Sequence, residues 1–241
     1  GAADILSALY GHVLHHDPQN PLWEERDRLV LSYGHIAPVR YAAMALAGYF
    51  DVAELSRLRS FGSMLQGHPE RIKMPALETT SGPLGEGLGQ AIGMALAARM
   101  DANTHTVYAL LSDGEHECGS TWEAILAAAH YKLGNLVVTV DRNGLQIGGS
   151  TEGILSLAPM REKYEAFGWN VIEVDGHDIA MLVDAYTEAA EYTTGPTVLI
   201  AHTVMGKGVP EIEGDYKWHG KAPSAEQAAQ WVAALKHNST Q

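Results

Sequence analysis

Cysteine occurs once in 241 residues, at position 118. No internal disulfide can form, which fits a reducing compartment and makes the cytoplasm the expected location. Basic residues are scarce too: 16 lysines and arginines stand against 29 aspartates and glutamates, a net charge of −13. That balance argues against nucleic acid, whose binding needs a basic face to displace condensed counterions. It also disfavours an anionic membrane surface. No apolar run approaches the ~20 residues a spanning helix needs. Any polyphosphate ligand would therefore need local compensation, from a divalent metal or from backbone N–H groups. Internal repeats, low-complexity tracts and a convincing linker are all missing, so one domain over 1–241 is expected. No secretory signal is visible. The opening GAADILSALY is already helical in pattern, and an upstream segment is expected to precede it.

What is present is an ordinary globular mixture, 46% hydrophobic and 19% charged, with 25 glycines for tight turns. Residues 2–16 place Ile5, Leu6, Leu9, Val13 and Leu14 on one helical stripe, which two prolines then end. A short extended run, RLVLS, leads to Gly34-His35. Helical pattern follows over 39–50, and Asp51 is a good N-cap for a short helix to about Arg59. Residues 60–83 read as a long irregular loop, a length that usually signals function. A glycine- and alanine-rich helix follows, from Gly85 to about Met100. Strands at 105–112, 136–142, 170–174 and 197–204 then alternate with helices at 119–133, 157–167 and 178–192. Runs such as NLVVTV and PTVLIA are apolar throughout, as strands covered on both faces must be. The pattern predicts an α/β fold, a doubly wound, mostly parallel sheet flanked by helices. A last helix, 224–236, opens on Ser224 with Gln227 placed for a capping box.

Ligands of such sheets bind beyond the carboxyl ends of the strands. Four turns fall there: SDG after 105–112, DRNGLQ after 136–142, DGHD after 170–174 and TVMGKGV after 197–204. Adjacent parallel strands would bring Asp113 and Asn143 together. A carboxylate, an amide oxygen and a backbone carbonyl are hard ligands that suit Mg²⁺. Taken alone, Asp-Gly and Asn-Gly are equally ordinary turn formers, and both readings stay open on composition. A dinucleotide loop at 82–93 is disfavoured because no apolar strand precedes it.

The spacing Asp113-Gly114, 28 intervening residues, then Asn143 resembles the signature of thiamine diphosphate-dependent enzymes. Neighbouring words resemble the amino-terminal half of transketolase: SYGH (32–35), GHPE (67–70), ETTSGPLGEGLGQAIGMALA (78–97), MGKGV (205–209) and WHGKAPS (218–224). They run in family order along nearly the whole chain. The resemblance implies the family's diphosphate-binding domain, with thiamine diphosphate and Mg²⁺ (or Ca²⁺ or Mn²⁺) as cofactors. Asp113, Asn143 and the Leu145 carbonyl would hold the metal, and the Gly114 amide would meet the diphosphate. Glu115 is also expected at the cofactor, with Gly82 and Leu84 against the aminopyrimidine. His35, His68 and His219 match catalytic positions, His219 also near the diphosphate. Neutral imidazole beside a sugar hydroxyl suits acid/base work near neutral pH. His12, His15, His16 and His130, outside the motifs, read as surface or satisfied residues. His177 reads as part of a turn.

The family's complete chain adds a pyrimidine-binding and a carboxy-terminal domain, so the resemblance implies the N-terminal subunit of a split transketolase. It would work with a C-terminal subunit in an α2β2 heterotetramer, passing a two-carbon ketol unit from a ketose phosphate to an aldose. The alternatives are a subunit of a 2-oxo acid dehydrogenase, a deoxyxylulose-phosphate synthase or a non-catalytic homologue. Two departures stand out. A glycine-histidine motif is expected upstream of residue 1. Cys118 stands where the family keeps an interface glutamate thought to couple two cofactors, and Glu115 or Glu117 is its nearest substitute.

Overall fold

The computed structural model describes residues 1–238. Helix α1 (Ala2–Ala8) continues into one wide π-helical turn, Leu9–Val13, and stops short of the expected residue 16. Strand β1 (Arg28–Leu31) and helix α2 (Ala37–Leu46) follow. Asp51 caps a 3₁₀ turn, Val52–Arg57, by accepting the Ala53 N–H at 2.8 Å, so this segment is tighter than the α-helix the pattern predicts. Between Arg57 and helix α3 (Gly87–Met100) the chain is irregular, as expected. Then come β2 (Val107–Ser112), α4 (Gly119–His130), β3 (Leu136–Arg142), and a small antiparallel pair, β4 (Leu145–Gln146) with β5 (Gly149–Ser150). Helices α5 (Thr151–Ile154) and α6 (Met160–Ala166), strand β6 (Asn170–Asp175), helix α7 (Ile179–Glu191), strand β7 (Thr197–His202) and helix α8 (Ala225–Asn238) complete it. The capping box of α8 is formed: the Gln227 N–H donates to Ser224 Oγ at 3.2 Å, and the Ser224 N–H to Gln227 Oε1 at 2.9 Å.

Five strands pair in parallel in the order β1-β2-β3-β7-β6. Successive side chains of a strand point to opposite faces, so each strand feeds two cores. Tyr108, Leu110, Val137, Leu199 and Ala201 pack with α1, α2 and α7. Val107, Ala109, Leu111, Val138, Val140, Val198 and Ile200 pack with α3, α4 and α6. That division is why the strands carry no polar alternation. Strands β1, β2, β3 and β6 advance across the sheet in one direction, whereas β6 to β7 steps back. A right-handed return crossover puts α7 on the opposite face. The winding reverses beside β3, and the carboxyl ends of the strands open there into a crevice.

The long loop is tied to the sheet by charge and by backbone. Glu78 pairs with Arg26, whose Nη2 reaches Glu78 Oε2 at 3.1 Å, both side chains being buried. Tyr41 donates its hydroxyl to the Gln66 carbonyl at 3.0 Å, and the Ser81 N–H donates to the Pro69 carbonyl at 3.0 Å. The second bond brings residue 68 beside residue 82.

Candidate cofactor site

Parallel register opposes Ser112 to Asp141, so the turns after β2 and β3 leave the sheet side by side. Asp113 and Asn143, thirty residues apart, meet there. Asp113 is fully buried. Its Oδ1 accepts the Gly114 N–H at 2.8 Å, and its Oδ2 accepts the Gly144 N–H at 2.6 Å and Arg142 Nη1 at 3.2 Å. Burial pushes this carboxyl above its usual range, and the Gly144 N–H, Arg142 and the Gly114 N–H oppose that. Asn143 Oδ1 accepts the Leu145 N–H at 2.9 Å, which folds the turn.

A cavity of about 550 Å³ opens over these turns. Asp113, Gly114, Asn143 and Leu145 line it together with Leu84, His35 and His219, seven of the residues expected from sequence. The rings of His35 and His219 lie 4.9 Å apart between centroids. Burial, with the nearby His219 and His68, lowers the pKa of His35 to about 4, and burial lowers that of His219 as well. Both imidazoles are therefore neutral at physiological pH, able to accept a proton from a hydroxyl.

Asp113, Asn143 and Leu145 bring a carboxylate, a side-chain amide and a backbone carbonyl to one lining, oxygen chemistry of the kind Mg²⁺ or Ca²⁺ takes. Among the described residues no group of three histidines, cysteines, aspartates or glutamates is placed to hold a metal. The site also suits an anion. Gly114 opens the 3₁₀ turn that leads into α4, whose N-terminus faces the same edge.

Three expected residues lie elsewhere. Gly82 borders a neighbouring cleft with Ser32, Ser81, Glu86 and Gln90, where Ser81 Oγ is buried and unpartnered. His68 is exposed and packs against Gly82: a Cβ built there would sit 3.6 Å from His68 Cδ2. Glu115 points inward. Its carboxylate accepts Ser32 Oγ at 2.5 Å, the Gly85 N–H at 3.3 Å and the Ser112 N–H at 2.9 Å. It is a strut joining β1, the GPLG turn and the SDG turn, fully buried and off the cavity wall. Gly85 (φ +81°) has no room for a side chain: a Cβ would lie 2.5 Å from Ser120 Oγ and 2.9 Å from Cys118 Cβ.

His116, which resembles an unremarkable turn residue in sequence, is a second strut. Its Nδ1 donates to the Ser112 and Asp113 carbonyls at 3.0 and 3.1 Å, leaving Nε2 to accept the Tyr164 hydroxyl at 2.8 Å. Burial lowers its pKa to about 4. On the cavity wall, sequence reasoning missed Tyr33 and Asp141. Asp141 is buried and accepts Tyr33 Oη at 3.1 Å and Thr203 Oγ1. A carboxylate inside the apolar run LVVTVDR was the signal available for it.

A doubly wound parallel sheet whose carboxyl edge holds a cavity lined by oxygen donors and histidines defines a ligand-binding α/β protein. The family model of the transketolase thiamine diphosphate-binding domain matches residues 1–241, and the chain belongs to the transketolase family. It is 41% identical over 224 residues to an apulose-4-phosphate transketolase subunit of Phocaeicola vulgatus, covering 93% of this chain and 79% of that one. It is 40% identical over 232 residues to the 6-deoxy-6-sulfo-D-fructose transketolase subunit SqwG of a Clostridium species, covering 96% and 83%. Transketolase from Campylobacter jejuni superposes with a TM-score of 0.83 at 31% identity, over 98% of this chain and 42% of that one. A Pichia stipitis transketolase in complex with sedoheptulose-7-phosphate gives 0.85 at 31%, over 100% and 40%. The chain thus spans about two fifths of these solved transketolases.

Proposed function

We propose that the chain is the diphosphate-binding, N-terminal subunit of a split transketolase, acting as one unit over its whole length. It joins a C-terminal subunit carrying the pyrimidine-binding domain, two copies of each, in the cytoplasm. The observation that carries this reading is the shared cavity wall, where Asp113, Asn143 and Leu145 lie beside His35 and His219. Relatives named as transketolase subunits support the division of labour. The retained oxygen donors and histidines speak against a non-catalytic homologue.

When bound, thiamine diphosphate supplies a nucleophilic carbon and a sink for the electrons of the broken ketose carbon–carbon bond. The chain's own residues do the rest. Asp113, Asn143 and the Leu145 carbonyl hold the divalent cation, Mg²⁺ before Ca²⁺ or Mn²⁺. The Gly114 N–H and the start of α4 meet the diphosphate charge. Leu84 and Gly82 support the aminopyrimidine. The imidazole nitrogens of His35 and His219 take the proton of the donor hydroxyl that becomes a carbonyl and return one to the acceptor's aldehyde oxygen, with His68, near His35, contacting the sugar. Glu115 contributes from behind, through Ser32 and Gly85.

Co-expression with the C-terminal subunit, followed by titration with thiamine diphosphate and Mg²⁺ and a two-carbon transfer assay over ketose donors, tests the reading. Saturable, metal-dependent binding and ketol transfer are expected. A well-formed complex that binds no thiamine diphosphate refutes it.

A further inference from the structure

One imidazole at the carboxyl edge has no part in the chemistry above. His177 sits in the turn between β6 and α7, its side chain largely buried. The Val204 N–H donates to His177 Nε2 at 2.8 Å. A backbone N–H can only donate, so Nε2 is unprotonated and the ring proton sits on Nδ1, 2.8 Å from Asp4 Oδ2. One ring thus joins the first turn of α1 to the segment leaving β7. Both partners adjoin the cavity: Gly1, Ala2 and Ala3 line it on one side, and Met205 on the other.

The turn is built to hold the ring there. The His177 N–H donates to Asp175 Oδ1 at 2.9 Å, and the Gly176 N–H donates to the His202 carbonyl at 2.8 Å. At Gly176 a Cβ would lie 2.4 Å from Thr203 Cγ2, so only glycine lets the turn come this close to the chain leaving β7. Thr203 itself donates to Asp141 on the cavity wall. The contacts from His177 therefore reach the cavity by two routes, through α1 and through residues 203–205.

We infer that His177 is a positioning residue, a clamp that sets the separation of two walls of the cavity without touching what binds there. Its value to cofactor binding rests on the function proposed above; the clamp itself does not. The two ring nitrogens can be separated by substitution. His177→Gln keeps an acceptor for Val204 and loses the donor to Asp4, whereas His177→Asn keeps a donor toward Asp4 and loses the acceptor.

The test takes three readouts on the complex with the C-terminal partner: hydrogen exchange at the Val204 amide, thiamine diphosphate affinity at fixed Mg²⁺, and the thermal midpoint. In wild type the Val204 amide is protected. His177→Asn speeds its exchange about tenfold, as loss of one net hydrogen bond does, while His177→Gln leaves it slow. Both variants weaken thiamine diphosphate binding about tenfold and raise the donor KM more than they lower kcat, with the midpoint within a few degrees of wild type. Equal Val204 exchange in wild type and His177→Asn overturns the clamp. A lowered midpoint with unchanged affinity and KM also overturns it, leaving a structural histidine. If the wild-type complex binds no thiamine diphosphate, the proposed function fails, and the Val204 exchange still decides the clamp.

Discussion

Two aspartates stand at opposite ends of the same sheet and do different things. Asp27, ahead of β1, accepts the His15 N–H at 2.8 Å and the Thr106 N–H at 2.9 Å. Asp113, after β2, also accepts two backbone N–H groups. Burial raises the pKa of both. Around Asp27 lies a cleft of His15, Glu25, Asp101, Asn103 and His105, as rich in polar groups as the cavity over Asp113. The difference is in the backbone. At the amino edge α3 ends at Met100, presenting carbonyls and partial negative charge beside the acids, an environment that repels anions. At the carboxyl edge the chain leaves β2 through a 3₁₀ turn into the start of α4, the end of a helix that carries partial positive charge. Residue type alone does not set these two environments apart; the direction of the chain does.

The largest test of that contrast is to remove each carboxylate in turn, in the complex with the C-terminal partner. Asp113→Ala should abolish metal-dependent thiamine diphosphate binding, weakening it by more than about a hundredfold, because the one carboxylate of the proposed metal set is gone. Asp27→Ala should leave that affinity unchanged and cost about 1–3 kcal/mol of stability, from two N–H groups left without a partner. Calorimetric titration and denaturant unfolding measure the two. Retained binding in Asp113→Ala would sink the metal assignment.

Acid should separate the two edges next. His116, buried behind the Asp113 turn, has its pKa lowered to about 4, so the unfolded chain, with a histidine near 6.5, takes up the proton first. Stability then falls as pH drops from about 6.5 to 4, by at most about 1.4 kcal/mol per pH unit from this group, and is fully present above that window. His105 at the amino edge shifts the same way but is partly exposed and contributes less. Urea unfolding at pH 7 and pH 5 should show the drop, and His116→Gln should flatten it. An equal slope in that variant would assign the acid sensitivity elsewhere.

The smallest effect concerns Cys118. It occupies the N-cap position of α4 with extended backbone (φ −84°, ψ 130°) and makes no side-chain cap bond. Serine there can accept a first-turn N–H, so Cys118→Ser should raise stability by about 0.5–1 kcal/mol, read as a higher thermal midpoint. Unchanged or lower stability would show that the cysteine is held by its contacts rather than tolerated as a poor cap.

Much of this was legible in the chain. Strand β3 falls on residues 136–142 as its apolar run predicts, the α8 capping box forms, and Asp113 and Asn143 meet because adjacent parallel strands must bring them together. Local patterns carried those conclusions. They failed where a residue's partner is remote. Nothing near Glu115 tells that it will be buried against Ser32, 83 positions away. His116 turns inward to Tyr164 for the same reason. His68 and Gly82 come together only because the long loop folds back on itself through Ser81 and Pro69.

By itself the sequence determined the alternation of strands and helices, the parallel class of the sheet and which turns leave its carboxyl edge. Periodicity, capping and turn chemistry act over a few residues and are written in consecutive positions. Only the tertiary structure decided which charges are compensated from within and which face a ligand. That choice depends on burial and on N–H groups contributed by segments far apart in the chain. Asp113 and Glu115 are two residues apart on one turn; one faces the cavity, the other holds the turn from behind.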